Sequence, residues 1–180
     1  MNQVEVNKQA KLSEHLASPS VAALSHSSEL NGLRLSPHFS LGELTRSKSH
    51  PEIYNIPSRQ VIENLKRVCV WLEALRERYN QRYGDGDDPI IITSGYRSAE
   101  LNRKVGGVAT SNHLTGCAVD IRVAGKEQLI RYACILLDYA DEKKQEFDEL
   151  LLEHGANGVI WLHFAVRPQG NRRKINFLKG

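Results

Sequence analysis

The sequence predicts an α+β fold, and three observations carry that expectation. Long stretches keep apolar residues at three- and four-residue steps, as amphipathic helices do. Shorter stretches alternate or are β-branched, as strands are. The two kinds are mixed without a repeating strand–helix unit, which disfavours a doubly wound sheet. At 180 residues the chain suits one folded domain and is long enough to bury a core.

Residues 1–34 are rich in Ser, Asn, Glu and Lys and weakly periodic. They are expected to form a poorly ordered arm, with a short helix around Val21–Leu24. Residues 35–180 are expected to form the folded domain. No internal repeat is visible.

The domain opens on Pro37-His38-Phe39-Ser40-Leu41-Gly42-Glu43-Leu44. Ser40 and Glu43 have capping-box spacing, and Phe39 and Leu44 stand at the staple positions, so a short helix starts here. Residues 46–57 read as loop. The longest helix is expected from Ser58 to Tyr83, where Val61, Leu65, Val68, Cys69, Leu72, Leu75 and Tyr79 make the apolar stripe. Gly84–Pro89 ends it. Ile90–Thr93 reads as a short buried strand. Ser98–Val105 reads as a short helix stopped by Gly106-Gly107.

Cys117–Val123 alternates, with Val119, Ile121 and Val123 on one face and Ala118, Asp120 and Arg122 on the other. That is the pattern of a strand with one side open. Lys126–Ala140 reads as a helix with Leu129, Ile130, Ala133, Leu136, Leu137 and Ala140 apolar. Phe147–Leu152 and Val159–Val166 are further strands. In the last, Trp161, His163 and Ala165 share a face.

Composition excludes several classes. The chain is 41% hydrophobic and 25% charged, ordinary for a globular protein. Net charge is +3, too small to argue for nucleic acid, and no nucleic-acid partner is expected. Charge is uneven: Asp138–Glu153 is acidic, whereas Arg167, Arg172, Arg173, Lys174 and Lys179 form a basic end. Such an end meets an anionic polymer or is simply a solvated tail, and the second reading is the plainer. No stretch approaches the roughly 18–20 apolar residues of a membrane span. The N-terminus lacks a basic start followed by an apolar core, so no secretory signal is read. Cys69, Cys117 and Cys134 match no CxxC spacing and are odd in number, against a disulfide framework. Cys69 and Cys134 read as small buried hydrophobes.

The chemistry concentrates in Ser111-Asn112-His113-Leu114-Thr115-Gly116-Cys117-Ala118-Val119-Asp120. An aspartate in a strand between Val119 and Ile121 is costly to bury unless a cation or metal pairs with it. Histidine nitrogen and carboxylate oxygen are both good zinc ligands. Gly116 lets the chain turn so that His113 and Asp120 converge. His163, on another alternating strand, supplies a third ligand. Three ligands with an open position is the composition of a catalytic rather than a structural zinc site. A His–Asp spacing alone says little in a chain with seven histidines, and a strand histidine beside a tryptophan is commonly a packed pair.

The wider pattern is more specific. Ser94-Gly95-Tyr96-Arg97-Ser98, Leu101-Asn102-Arg103, Gly106-Gly107, Ser111-x-His113-x-x-Gly116-x-Ala118-x-Asp120-Ile121 and Trp161-x-His163 follow one another. With Leu35–Ser40 and Glu43–Ser47 upstream, this resembles the zinc D-Ala-D-Ala carboxypeptidases and the related phage L-alanyl-D-glutamate endopeptidases. The resemblance spans about three quarters of the chain and leaves out the N-terminal arm.

It implies a hedgehog-like fold in which a small antiparallel sheet carries the metal site against helices. It implies a zinc metallopeptidase that hydrolyses peptide bonds in peptidoglycan stem peptides, as carboxypeptidase or endolysin-like endopeptidase. One Zn2+ per monomeric chain is expected, with His113, Asp120 and His163 as ligands. Arg97 matches the arginine that contacts the substrate carbonyl and developing oxyanion, with a plain salt bridge as the alternative. Ser111 matches a small polar residue near the substrate. Trp161 either walls the substrate groove or packs. Many members place the acidic general base three residues before the last histidine, where this chain has Ile160. Members with a Phe-Asp-x-Leu-x-x-Glu string look most similar, which makes Glu153 the base, ahead of Glu149 and Asp148.

Two other readings stay open: a catalytically silent wall- or partner-binding domain that kept the fold, and a structural zinc protein with Cys117 or His154 as fourth ligand. A chain made in the cytoplasm without a signal and acting on the wall would fit phage-type release.

Overall fold

The structure is a computed structural model, and it describes residues 31–179. The short helix expected around Val21–Leu24 lies outside the described residues. Arg34 pairs with Ser40 across an isolated bridge, and α1 follows at Leu41–Thr45. The capping box forms: Ser40 Oγ accepts from the Glu43 amide, and Glu43 accepts from the Ser40 amide at 2.8 Å. Phe39 and Leu44 are both buried, as staple residues should be.

Helix α2, Arg59–Arg82, is capped by Ser58 and buries every residue of the expected stripe. It also buries Trp71, which lies between Tyr139 and Phe164 with ring centroids 4.9 and 5.2 Å away. The first strand, β1, is Ile92–Ser94, two residues later than expected and only half buried. Only Ile90 of the isoleucine run is fully buried, and the Ile91 carbonyl accepts from the Arg122 amide of the neighbouring strand just before β1 begins.

Helix α3 is Ala99–Lys104, with Ser98 as its cap, and a 3-10 turn follows at Asn112–Thr115. Strand β2 is Ala118–Arg122, and helix α4 is Lys126–Lys143, three residues longer than its apolar pattern. The strands β3 (Glu149–His154), β4 (Ile160–Ala165) and β5 (Lys174–Lys179) complete the chain.

The five strands form one sheet in the order β1-β2-β4-β3-β5. Its first three pairings are antiparallel, and β5 joins β3 in parallel at the far edge. One face, with Val119, Ile121, Leu150, Leu152, Leu162 and Phe164, packs on α2 and α4 to make the core. This is the α+β arrangement expected, a largely antiparallel sheet against helices.

Four expectations are corrected. Strand β2 has no open side: Ala118 and Asp120 are buried as well as Val119 and Ile121, because the 3-10 turn and the Arg97 segment cover that face. Ile130 is exposed, since α4 turns Tyr132, Ile135 and Tyr139 inward instead. Cys134 is exposed on the same helix, whereas Cys69 is buried. The basic end stays exposed to solvent but is ordered rather than a loose tail. It forms β5, and the arginines leading into it pair with the acidic stretch: Arg167 and Arg172 with Asp148, and Arg173 with Asp141. Opposite charges far apart in sequence thus cancel locally.

Candidate metal centre

The second face of the sheet carries the polar chemistry. Cross-strand register sets Asp120 opposite His163, and His163 opposite Leu151. Glu149, Glu153, Trp161 and Ala165 lie on this same face because side chains two apart share a side.

His113 arrives from the 3-10 turn. Ser111 caps that turn, its hydroxyl accepting from the His113 amide at 3.3 Å. Gly116 ends it in the left-handed region at φ 70°, and a Cβ there would lie 2.7 Å from Val61 Cγ1. Glycine is thus required twice over, by conformation and by space. Asn64 of α2 donates to the Thr115 carbonyl at 2.9 Å and ties the turn to the core.

The three expected ligands converge. His113 Nδ1 donates to the Gly95 carbonyl at 2.6 Å, which leaves Nε2 to face Asp120 Oδ1 at 3.3 Å. His163 Nδ1 lies 2.9 Å from that same oxygen. The rings of His113 and His163 sit 5.1 Å apart, centroid to centroid. One ligand atom from each of His113, Asp120 and His163 falls within 4.8 Å of the others, and all three residues are buried. Two imidazole nitrogens and one carboxylate oxygen suit a metal such as zinc. His154 and Cys117 are not part of this group.

Electrostatics follow from the crowding. Burial pushes the Asp120 carboxyl up, but His113 and His163 outweigh it and hold it well below the usual carboxylate range. Burial pulls His163 down, but the hydrogen bond with Asp120 and the nearby Glu149 carboxylate outweigh it and raise the ring to about 9. Without a metal, these carboxylates hold a proton on His163 in its place.

Arg97 stands beside the group. Its Nη2 donates to Asp120 Oδ2 at 2.5 Å and its Nε to Ser94 Oγ at 2.8 Å. Its backbone is clamped by Asn55, whose side chain donates to the Thr45 and Tyr96 carbonyls and accepts from the Ser98 amide at 2.6 Å. Gly95 passes so close to α1 that a Cβ would meet the Leu44 carbonyl at 2.2 Å. A cavity of about 300 Å³ opens next to Arg97, lined by Arg46, Ser47, Lys48, Ser94 and Tyr96 among others.

The three acids considered for a base differ sharply. Asp148 is fully buried and held by Arg167, Arg172 and Asn112. Glu149 is engaged by Asn112, Arg172 and Lys174, and its carboxyl falls to about 2, first through His163. Glu153 is different. Burial pushes its carboxyl above the usual range, while His163 and Arg97 pull it down and Asp120 and Glu149 push it up. It pairs with Trp161, two residues from His163 on the same face, and such diagonal neighbours lie about 7–8 Å apart. Trp161 is half buried, and its ring edge would lie 3.3 Å from a Cβ at Gly155 in the β3–β4 turn.

The sequence model of the Peptidase M15 family matches residues 37–142. The chain belongs to the Peptidase M15 family. No curated protein matches it. The span shared with other M15 peptidases holds Arg97, Ser111, His113 and Asp120 and stops before β3 and β4. The M15 family are zinc peptidases, and the His-Asp-His group is a place where such an ion could bind. Among the described residues, no helix is long and apolar enough to cross a membrane.

Asn55, Asn64, Asn112 and the Asp148–Glu149 supports were not read from sequence as functional. Gly95 was visible only as part of a motif string. Their roles rest on contacts across 18 to 51 residues, which local patterns do not encode.

Proposed function

We propose that this chain is a zinc peptidase that cleaves stem peptides of bacterial peptidoglycan, with His113, Asp120 and His163 as ligands and Glu153 as general base. The observation that carries this reading is the convergence of three buried ligand atoms on a sheet face that also presents a half-buried Glu153. Arg97 offsets part of the cost of burying Asp120, and a metal held between its other oxygen and the two imidazoles would offset the rest.

Zinc bound there supplies a Lewis acid that activates water and polarises the scissile carbonyl. Glu153 takes a proton from the attacking water on its carboxylate and gives it to the leaving amine. A carboxyl raised by burial is a better proton acceptor than an ordinary glutamate and still releases the proton. Arg97 is held by Ser94 and Asp120 beside the ligand group, where its guanidinium stabilises the oxyanion as it forms. Ser111 acts through His113 by capping its turn, and Trp161 walls the groove above the β3–β4 turn. The cations Arg46 and Lys48 in the cavity suit the carboxylates that stem peptides carry.

The test is to quantify bound zinc and to incubate the protein with purified muropeptides, reading products by mass. Wild type is expected to hold about one zinc and cut stem peptides, and His113→Ala to lose both. Glu153→Gln is expected to keep zinc and lose roughly 10²- to 10⁴-fold in kcat. Zinc binding with no change in any muropeptide would favour the silent wall-binding domain, and a protein without zinc would sink the ligand assignment.

A further inference from the structure

Glu149 is spent on neither packing nor, with its charge paired, on proton transfer. Its Oε1 accepts from Arg172 Nη2 at 2.9 Å and Lys174 Nζ at 3.3 Å. Its Oε2 accepts from Asn112 Nδ2 at 3.0 Å and lies 3.5 Å from His163 Nε2. That nitrogen is buried and has no hydrogen-bond partner among the described residues. The opposite nitrogen of the ring, Nδ1, is the one turned to Asp120.

A neutral imidazole carries one proton, so whichever nitrogen binds a metal leaves the proton on the other. If Nδ1 is the ligand, Nε2–H points to Glu149. At 3.5 Å this is longer than a good hydrogen bond, and a small rotation of either side chain closes it. The carboxylate itself is fixed from three directions. Arg172 is also gripped by Asp148, through Nε at 2.8 Å and Nη2 at 2.7 Å. Asn112, the neighbour of His113 in sequence, donates to Asp148 at 2.7 Å as well.

We propose that Glu149 is a positioning residue that accepts the Nε2–H of His163, fixing the tautomer and the orientation in which Nδ1 meets the metal. The acceptor is borne on β3, the ligand on β4, and Asn112 links the acceptor to the turn that carries the other histidine. Both histidines are then braced by one polar network anchored on Asp148. This inference rests on the zinc reading above.

The experiment strips the full-length protein of metal and titrates zinc back against a competing chelator. Glu149→Ala is expected to weaken zinc binding roughly 10- to 100-fold. Glu149→Gln keeps an acceptor oxygen at the same place and is expected to recover most of that loss. A single cooperative melt of the metal-free variants shows that their folds are intact. In zinc-loaded wild type, the ¹⁵N ring resonances of His163 are expected to report a proton on Nε2. Wild-type affinity in Glu149→Ala, or a ring proton on Nδ1, overturns the proposal while leaving the zinc reading in place. A wild type that binds no zinc overturns both. Should Glu149→Ala fail to fold, the His163 resonances decide.

Discussion

At the scale of single residues, the centre is a set of charges whose protonation depends on one another. The clearest consequence concerns His163 in the metal-free protein. Its folded value is raised to about 9, above the ordinary 6.5. A raised histidine stabilises the fold in its charged form. That contribution is complete below about 6.5, the unfolded value, and disappears as pH climbs through about 9. The metal-free protein is therefore expected to melt at lower temperature above pH 9 than near neutrality. Thermal melts in excess chelator at several pH values check this, and replacing His163 by Gln should flatten the dependence. The same logic makes zinc compete with protons for His163, so affinity for the metal is expected to fall on acidification.

At the scale of elements, the centre depends on a few short connections rather than on the long helices. The 3-10 turn is the most exacting. Ser111 starts it, Asn64 ties it to α2 and Gly116 ends it against Val61. Gly116→Ala places a methyl 2.7 Å from Val61 Cγ1 and 2.9 Å from the Val61 carbonyl, at a positive φ. Strain and overpacking of this kind cost about 1–3 kcal/mol. The variant is expected to be destabilised by that amount in denaturant titration. It is also expected to bind zinc less tightly, because the turn carries His113. Val61→Ala in the same background relieves the side-chain clash but not the backbone one, so it should recover only part of the loss.

At the scale of the whole molecule, the sheet divides the labour. One face builds the core with α2 and α4, and the other gathers Asp120, His163, Glu149, Glu153 and Trp161. A site whose ligands come from a turn and two strands binds metal well only when the fold is complete. Folding and zinc binding are then linked. At free zinc 100 times the dissociation constant, the folded state is expected to gain about 2.7 kcal/mol. Melts with zinc and with chelator should differ accordingly, and the difference should vanish in His113→Ala. The charge arrangement is also global: the acids at the end of α4 and the start of β3 find their partners in the segment leading to β5.

The capping box at Ser40, the α2 stripe and the alternation in β2 and β4 were legible because each is a short-range pattern with one physical cause. The motif string through Arg97, Ser111, His113 and Asp120 was legible for the same reason, and it falls within the span that places the chain in the M15 family. The register sets Glu149, Leu151 and Glu153 on one face of β3. Strand β5 was not read because Ile175-Asn176-Phe177 alternates over only three residues, and the strand is fixed by its pairing with β3 at the sheet edge. The burial of Asp120, the exposure of Cys134 and Ile130 and the pairing of the basic segment with Asp148 depend on neighbours distant in the chain. The sequence by itself indicated most of the elements and the candidate site residues, since both follow from local periodicity and residue type. Only the tertiary structure decided how the two candidate carboxylates differ. Glu149 and Glu153 lie on one face of one strand, and they differ because Arg172, Lys174 and Asn112 reach the first while burial surrounds the second.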